Sequence, residues 1–512
     1  MKEQTIAGKL FRGTIVIILV SILAKITTFI TEAILASYLG TTYQSDAYYM
    51  VTSIQYVVYP MLSVGIWKVF LPIYKEKITL GDIDGANELT NKVITNFTII
   101  SVVVVAVLMI FSNTVVSIVA PGFEGDTKKL CADLVRLSAP MYIFIMAAAV
   151  YASMLQCHNK FLGSQIREVA SHIPTIITAI IFYPRFGIMS LGIALVAGGF
   201  LRLLVELPFV DWGYKFRPSF HKKSKEYALM MKRLPSALVS EGVNQLNMLV
   251  DKMMASTLPV GAVSGLNYGN RLTNVFSGLL STAIATALYP QVVELISLKK
   301  QDELNSLMSK ILKIFGLVMF PLTIACILFR VDLVSCVFER GVFGKESVYL
   351  TAGTFACYSA GLFFVASNTV LTNVFYGYGD TKTPMYIGIA NLVINVGLNL
   401  LLVHFIGING LAIATSFSAC IVFFVRVKLI DKYVKFEWSG IIKQFVKVLI
   451  ASLIACAFAR VFANILGINK YLRIILAAIV GASIYLAELY LMKIDELKFV
   501  IELIKHKLLK KH

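Results

Sequence analysis

Charged residues are scarce in this sequence. Asp, Glu, Lys and Arg make up 15% of its 512 residues, whereas 58% are hydrophobic and the mean hydropathy is +0.78. Soluble domains carry roughly a quarter of their residues as charges. The shortage therefore excludes a soluble protein and predicts one that crosses a membrane many times.

Acidic residues are scarcer still, because 29 acids stand against 47 Lys and Arg residues, a surplus of 47 − 29 = 18 positive charges. In a soluble chain such a surplus suggests a nucleic-acid partner. Here the basic residues are concentrated in short loops between hydrophobic runs, which is the asymmetry that orients helices in a membrane. We therefore expect no nucleic-acid partner.

Cysteine and histidine are also rare, and their spacing excludes two classes of site. The seven cysteines include no Cys-x-x-Cys pair, and most lie in apolar runs, so they predict neither disulfides nor a metal centre. The six histidines are scattered and form no cluster of the kind that a polyprenyl-phosphate transferase needs near the headgroup plane. We expect a transporter and not an enzyme.

Long hydrophobic runs, by contrast, fill most of the chain. A window of about 19 residues finds about fourteen candidate spans, which predicts an all-α polytopic membrane protein. The predicted parts are an N-terminal six-helix lobe, a basic cytoplasmic connector, a C-terminal six-helix lobe, two extra helices and a basic cytoplasmic tail, at residues 1–212, 213–227, 228–435, 436–493 and 494–512. Basic loops alternate along the chain, and both termini fall on their side, so we expect both termini in the cytoplasm.

Three short matches relate the two halves at nearly one offset. They pair Glu32–Ser37 with Asp251–Ser256 (251 − 32 = 219), Phe70–Pro72 with Leu288–Pro290 (290 − 72 = 218) and Phe186–Ala194 with Ile406–Ala414 (414 − 194 = 220). An offset of six spans keeps both copies in one orientation. The sequence thus predicts two parallel six-helix repeats, with two further helices at the C-terminal end, and parallel halves can rock to give alternating access.

A few ionisable residues interrupt the hydrophobic runs, and each costs about 2.5 to 3.5 kcal/mol on insertion scales, which marks them as functional candidates. They include Lys25, Glu32, Asp46, Asp251, Lys252 and Arg271. The planar fork of Arg271 and the point charge of Lys25 are suited to a diphosphate. The alternative is an internal ion-pair network that joins Lys25 to Glu32 and Arg271 to Asp251.

Four segments carry a family resemblance: SDAYYM at residues 45–50, LNYGNRLTNVFSGLLSTAIATALYPQ at 266–291, YGYGDTKTP at 376–384 and NVGLNLLLVHFIGINGLAIATS at 395–416. Together they resemble the MurJ/MviN family of lipid II flippases, within the multidrug/oligosaccharidyl-lipid/polysaccharide exporter superfamily. The resemblance covers about residues 10–430. It implies movement of lipid II, the undecaprenyl-diphosphate-linked peptidoglycan precursor, from the inner to the outer leaflet of the bacterial cytoplasmic membrane, with a lipid-tail groove formed by the last two helices.

The resemblance also implies which side chains grip the head group. Arg271 matches the family's span-eight arginine, and Lys25 stands at its first span-one arginine. Thr31 and a position at or beside Tyr59 stand where two more arginines are expected. The candidate substrate-binding residues are Lys25, Glu32, Asp46, Lys252 and Arg271.

The missing arginines leave a second function open, a flippase for another polyprenyl-linked oligosaccharide such as a capsule, O-antigen or exopolysaccharide unit. A multidrug/cation antiporter is a weaker alternative, since it has no need of the last two helices.

Some members of the family also resemble cation-coupled carriers. The matching positions for a sodium site are Asp251, Asn395, Asn399 and Thr415, whose oxygen atoms suit a hard cation. The alternative is a set of hydrogen bonds between helices. Sodium is thus the one candidate cofactor, and the expected partners are a polyprenyl-diphosphate-linked saccharide, membrane lipids and cell-wall or envelope-synthesis proteins.

Overall fold

The structure is a computed structural model that describes residues 2–220, 224–494 and 496. Every element in these residues is helical, which confirms the all-α fold. Three residues of the predicted connector (221–223) and nearly all of the predicted tail lie outside the described residues.

The helices are α1 (Lys2–Leu39), α2 (Tyr43–Thr79), α3 (Ile83–Ile110), α4 (Ser112–Val119), α5 (Gly125–Ser138), α6 (Met141–Cys157), α7 (Phe161–Ile177), α8 (Tyr183–Phe186), α9 (Met189–Leu204), α10 (Lys225–Ala255), α11 (Ala262–Ser297), α12 (Gln301–Leu328), α13 (Arg330–Phe338), α14 (Lys345–Ser359), α15 (Leu362–Gly377), α16 (Lys382–Ile406), α17 (Ile408–Ile430), α18 (Trp438–Ile465) and α19 (Lys470–Leu491), with a π-helical turn (Thr178–Phe182) and a 3-10 turn (Leu207–Phe209).

Eight of these helices are long and apolar enough to cross a membrane, and the number rises to ten if each of two bent pairs is one span. The pair α5 and α6 bends by 46° and the pair α14 and α15 by 43°. Pro140 stands at the first bend, where its missing N–H interrupts the helix. Four further helical segments are long enough to cross: α2, α10, α11 and the run from α7 through α8. The described helices therefore agree with the predicted polytopic all-α fold.

The order of the helices repeats at the predicted offset. Helices α3 and α12 begin 301 − 83 = 218 residues apart, α4 and α13 begin 330 − 112 = 218 apart, and α9 and α17 begin 408 − 189 = 219 apart. Gly187 and Gly407 occupy equivalent turns and have φ values of 65° and 55°, a left-handed conformation that favours glycine. The repeat thus extends to short helices and turns.

The chain divides into two compact units. The first consists of Met1–Ser264 with Arg340–Phe343, and the second of Gly265–Glu339 with Gly344–His512. In the first unit α2 packs on α6 and α10, and α1 packs on α7. In the second unit α16 packs on α17, α12 on α18, and α18 on α19. The boundaries of the two predicted lobes stay a prediction.

Small residues set the spacing of the last two helices. Ala451, Ala455, Ala459 and Ala463 are all buried on α18 at intervals of four residues, which is one helix face. A Cβ added to Gly481 of α19 would lie 3.1 Å from the Cβ of Ala459, so the two backbones approach closely. In lipid, where burial of apolar surface gives little gain, such close packing holds helices together.

Candidate functional site

Asp46 is a buried candidate substrate-binding residue whose carboxylate accepts three hydrogen bonds. It lies in the first turn of α2, which begins with a capping box between Thr42 and Ser45. Its carboxylate accepts hydrogen bonds from the N–H of Gly261 (2.6 Å), the N–H of Ser264 (2.8 Å) and the hydroxyl of Ser264 (2.7 Å). Three donors satisfy a buried carboxylate well. Asp46 therefore ties α2 to the turn that begins α11.

Glu32 and Lys252 converge on one tyrosine. Glu32 on α1 is 7% exposed and accepts a 2.7 Å hydrogen bond from the hydroxyl of Tyr49 on α2. The Nζ atom of Lys252 on α10 lies 6.0 Å from the centre of the same ring, the outer limit of a cation–π contact. Tyr49 thus links α1, α2 and α10. The sequence offered a signal for it, because Tyr49 lies three residues after Asp46 and shares its helix face.

Lys25 occupies a different environment. It is exposed on α1 beside Ile22 and Ile26, which are also exposed. Seven residues separate Lys25 from Glu32, so they lie about 10 Å apart along the helix axis. The carboxylate of Glu32 is bonded to Tyr49 instead.

Arg271 is positioned by tight packing of its helix. It is half-buried on α11, two residues after Gly269. A Cβ at Gly269 would lie 2.3 Å from the hydroxyl oxygen of Thr354, so only glycine lets α11 approach α14 this closely. Thr354 in turn donates a 3.0 Å hydrogen bond to the carbonyl of Gly265. This contact fixes the turn of α11 that carries the arginine.

Three of the four predicted sodium ligands lie together in the second unit. Asn395 and Asn399 are fully buried on α16, and Nδ2 of Asn399 donates a 3.0 Å hydrogen bond to Oδ1 of Asn395. Nδ2 of Asn395 lies 3.4 Å from the hydroxyl of Thr415 on α17. Asp251 belongs to the first unit, on α10. Within the described side chains, His, Cys, Asp and Glu form no group of three or more that could hold a metal.

An apolar groove of about 360 Å³ runs between α12, α18 and α19. Pro321 of α12, Ala459 of α18 and Gly481 of α19 are among the residues that line it, and Tyr485 closes it on one side by donating a 2.6 Å hydrogen bond to the carbonyl of Leu317. The groove lies on the two helices that stand outside the six-plus-six repeat. It is shaped for an apolar chain and lacks the polar groups that would hold a charged one.

Comparison with known proteins identifies relatives over nearly the whole chain. The family model described as "Lipid II flippase MurJ" matches residues 35–480. A probable lipid II flippase MurJ of Rickettsia prowazekii (strain Madrid E) is 26% identical over 503 residues, which cover 95% of this chain and 98% of the relative. That of Thermotoga maritima is 25% identical over 481 residues, which cover 93% of this chain and 96% of the relative. The family resemblance predicted from the sequence is confirmed.

Solved structures agree on the fold. A lipid II flippase MurJ in an inward closed conformation matches with a TM-score of 0.80 and 21% identity, over 93% of this chain and 98% of that one. An inward-facing multidrug resistance MATE family transporter of the MOP superfamily matches with a TM-score of 0.66 and 15% identity, over 82% and 98%. At these identities the likeness shows the fold alone. Because the family model spans 480 − 35 + 1 = 446 of the 512 residues, the chain belongs to the lipid II flippase MurJ family.

Proposed function

We propose that this protein is an alternating-access flippase that moves lipid II from the inner to the outer leaflet of the bacterial cytoplasmic membrane. The observation that carries the proposal is the family match over residues 35–480, which covers both six-helix repeats except for most of α1 and reaches into the two extra helices. The family is one of transporters, so the expectation that the chain is not an enzyme is confirmed. The protein is multi-pass, and we assign both termini to the cytoplasm from the alternation of basic loops.

Arg271 is the proposed contact of the substrate diphosphate. Its fork can hold two phosphate oxygens at once, and α11 is fixed on α14 by the contact at Gly269. Lys25, in the first unit, is the other candidate cation for the diphosphate and is exposed on α1. Glu32 and Lys252 set the position of Tyr49, and Asp46 anchors the neighbouring end of α2. We assign these three a positioning role around the substrate.

The groove between α12, α18 and α19 is the proposed path of the polyprenyl tail. Its apolar lining matches a hydrocarbon chain. The tail must remain in an apolar environment while the head group crosses, because each methylene moved into water costs about 0.8 kcal/mol. A groove lined by apolar side chains meets this need.

Sodium is the proposed coupling ion, and its proposed ligands in the second unit are Asn395, Asn399 and Thr415. Asp251 of the first unit is the remaining candidate from the sequence, and a substitution tests it. Asn395, Asn399 and Thr415 lie within hydrogen-bonding distance of one another, which brings side-chain oxygens of α16 and α17 close together, and hard cations prefer oxygen. The same contacts are the hydrogen bonds of the alternative. A bound ion stabilises only the state that binds it. We therefore expect Asp251→Asn to reduce the rise in melting temperature that sodium gives over potassium. An equal rise in both proteins would remove Asp251 from the ligand set.

One observation favours a second function, the transport of another polyprenyl-linked oligosaccharide. Thr31 stands where the family resemblance places an arginine, and its hydroxyl donates to the carbonyl of Thr27 in its own helix, so it supplies no charge for a head group. The deciding experiment is rescue of a bacterium depleted of its own lipid II flippase. Growth supports lipid II as substrate. Failure to grow at normal membrane levels of the protein supports the second function.

A further inference from the structure

A charged cluster lies at one end of the apolar groove. Its members are Asp332 and Glu339 of α13 and its C-terminal edge, Arg460 of α18, and Lys470 and Arg473 of α19. Asp332 precedes the lining residue Leu333, Arg460 follows Ala459, and Arg473 precedes Ile474. The guanidinium of Arg460 lies 5.3 Å from the ring centre of Phe329, another lining residue. Charged side chains therefore lie directly beside the apolar lining at this end of the groove.

The two arginines of this cluster share one carboxylate. Asp332 accepts a hydrogen bond from Nη1 of Arg460 and one of 2.5 Å from Nη2 of Arg473. A guanidinium has five N–H donors, and in the described part of the chain each of these two makes that one hydrogen bond. The two side chains are 36% and 33% exposed. Several donors of both forks therefore remain available to a ligand.

The net charge of the cluster favours an anion. Lys470 contacts Glu339 at 3.0 Å, so the cluster holds three cations and two acids, a net charge of 3 − 2 = +1. Helix α19 also begins at Lys470, and the N-terminal end of a helix adds positive potential. An anionic group that reaches this end of the groove meets a positive field and two arginine forks.

We propose that Arg460 and Arg473 bind the diphosphate of a polyprenyl lipid whose tail lies in the apolar groove. Lys470 adds positive charge beside them, while its ammonium group contacts Glu339 and both oxygens of Ser335. The juxtaposition that carries the proposal is a cationic cluster joined end to end with an apolar channel, which is the shape and charge of such a lipid. The inference rests on the proposed function. The cluster lies where α18 ends and α19 begins, which the proposed orientation places at the outer leaflet, so it holds the head group after it has crossed.

The test is photo-crosslinking with undecaprenyl diphosphate that carries a diazirine in its tail, using the full-length protein in phosphatidylcholine nanodiscs. We expect cross-links on peptides of α12, α18 and α19. The double substitution Arg460→Gln with Arg473→Gln should weaken the binding that gives these cross-links by about tenfold or more, because two charge-assisted forks are lost. Lys382→Gln with Lys428→Gln removes two exposed charges of the same unit outside the cluster and should leave the yield unchanged.

Asp332→Asn separates binding from a structural role. If the arginines bind the diphosphate, removal of the competing carboxylate should increase the cross-link yield at limiting lipid. If they serve only to hold α13 against α18 and α19, the yield should not rise and the melting temperature alone should fall, which overturns the proposal. Should that variant fold poorly, Arg460→Lys with Arg473→Lys keeps the charge and removes the fork, and an unchanged yield counts against the proposal.

Competition between phosphatidylglycerol and the labelled undecaprenyl diphosphate tests the class of ligand. If phosphatidylglycerol competes as well as unlabelled undecaprenyl diphosphate does, the site is a general anionic-lipid site and the polyprenyl assignment is rejected. Flipping of lipid II in proteoliposomes is measured in parallel. Loss of the cross-link pattern in a protein that flips lipid II rejects only this inference, whereas absence of flipping by the unmodified protein rejects the proposed function.

Discussion

At the scale of single residues, Asp46 gives the clearest expectation for stability. Asp46→Asn replaces one acceptor oxygen by an NH₂ group that faces the N–H donors of Gly261 and Ser264. Loss of hydrogen bonds to a buried charged group costs about 2 kcal/mol. We expect a lower melting temperature in detergent. Asp84→Asn, an exposed change in the first turn of α3, is the control, and an equally small effect of both substitutions would contradict the anchoring role.

Arg271 gives the corresponding expectation for transport. Arg271→Ala should abolish flipping while the protein still reaches the membrane, because no other group at that position can replace the charge. Arg271→Lys should retain part of the activity, since the charge remains but the bidentate fork is lost. Flipping measured in proteoliposomes at matched protein content checks both. Full activity of the alanine variant would exclude Arg271 from the mechanism.

The sequence did not indicate the surroundings of the candidate site residues. Helical spacing correctly places Lys25 and Glu32 on one face of α1, yet Glu32 bonds to Tyr49 and Lys25 is exposed. Periodicity reports which residues share a face of one helix and says nothing of which other helix covers that face. The bond from Ser264 to Asp46 joins residues 264 − 46 = 218 apart, and no local pattern could indicate it.

At the scale of elements, each half of the repeat has a loop junction, which consists of a stacked pair of rings and an ion pair. The acidic and basic residues of the ion pair are exchanged between the two halves. In the first half His158 stacks on Trp212 with ring centres 3.8 Å apart, and Lys160 pairs with Asp211 at 2.6 Å. In the second half Tyr378 stacks on Tyr433 at 4.3 Å, and Asp380 pairs with Lys432 at 3.3 Å. The offsets are 380 − 160 = 220 and 432 − 211 = 221.

Each junction therefore fastens the loop before α7 or α16 to the segment that follows α9 or α17. The geometry is kept while the sign of the ion pair is reversed. A sequence comparison that looks for identical residues cannot find such a relation, because neither the aromatic residues nor the charges are the same in the two halves.

Asp380 makes the second junction sensitive to pH. The N–H and hydroxyl of Thr383, together with Lys432 and Tyr433, hold the pKa of Asp380 at about 2, below its ordinary value of 3.8. A lowered pKa in the folded state means that the stabilisation is complete above about pH 4 and is lost as the pH falls from 3.8 towards 2.

We therefore expect the melting temperature of the unmodified protein to fall more between pH 7 and pH 3 than that of Asp380→Asn, which cannot titrate at this position. Asp431→Asn, an exposed neighbour, serves as the control and should behave as the unmodified protein does. Identical pH profiles for all three proteins would show that Asp380 contributes nothing to folding in this range.

At the scale of the whole molecule, hydropathy and three short matches were enough to predict a polytopic all-α fold and its repeat, because both depend on composition and periodicity. The short helices α4 and α13 were not predicted. Each of these short helices forms where the chain turns at the end of a long helix, α3 or α12. The cluster around Asp332 was also missed, since its partners Arg460 and Arg473 are 128 and 141 residues away.

The packing of the two extra helices, α18 and α19, indicates what they contribute to the whole molecule. Helix α18 packs on α12 through Phe445, whose ring lies 5.2 Å from that of Phe320, and through the cluster of Leu317, Val448 and Leu489. Removal of α18 and α19 would expose this face of α12 to lipid. Lipid tails are as apolar as the side chains they would replace, so the cost to the rest of the molecule is small.

Deletion of residues 440–512 should accordingly leave the twelve-helix core inserted in the membrane and able to bind a soluble head-group analogue, but unable to flip the full lipid, because the groove for the tail is gone. Ala478→Trp is the matched variant, since it keeps both helices and fills the groove that Ala478 lines. It should lower the flipping rate of the polyprenyl substrate and spare binding of the analogue. If the truncated protein flips lipid II at the normal rate, the groove does not carry the tail, and α18 and α19 then serve as a packing or partner surface.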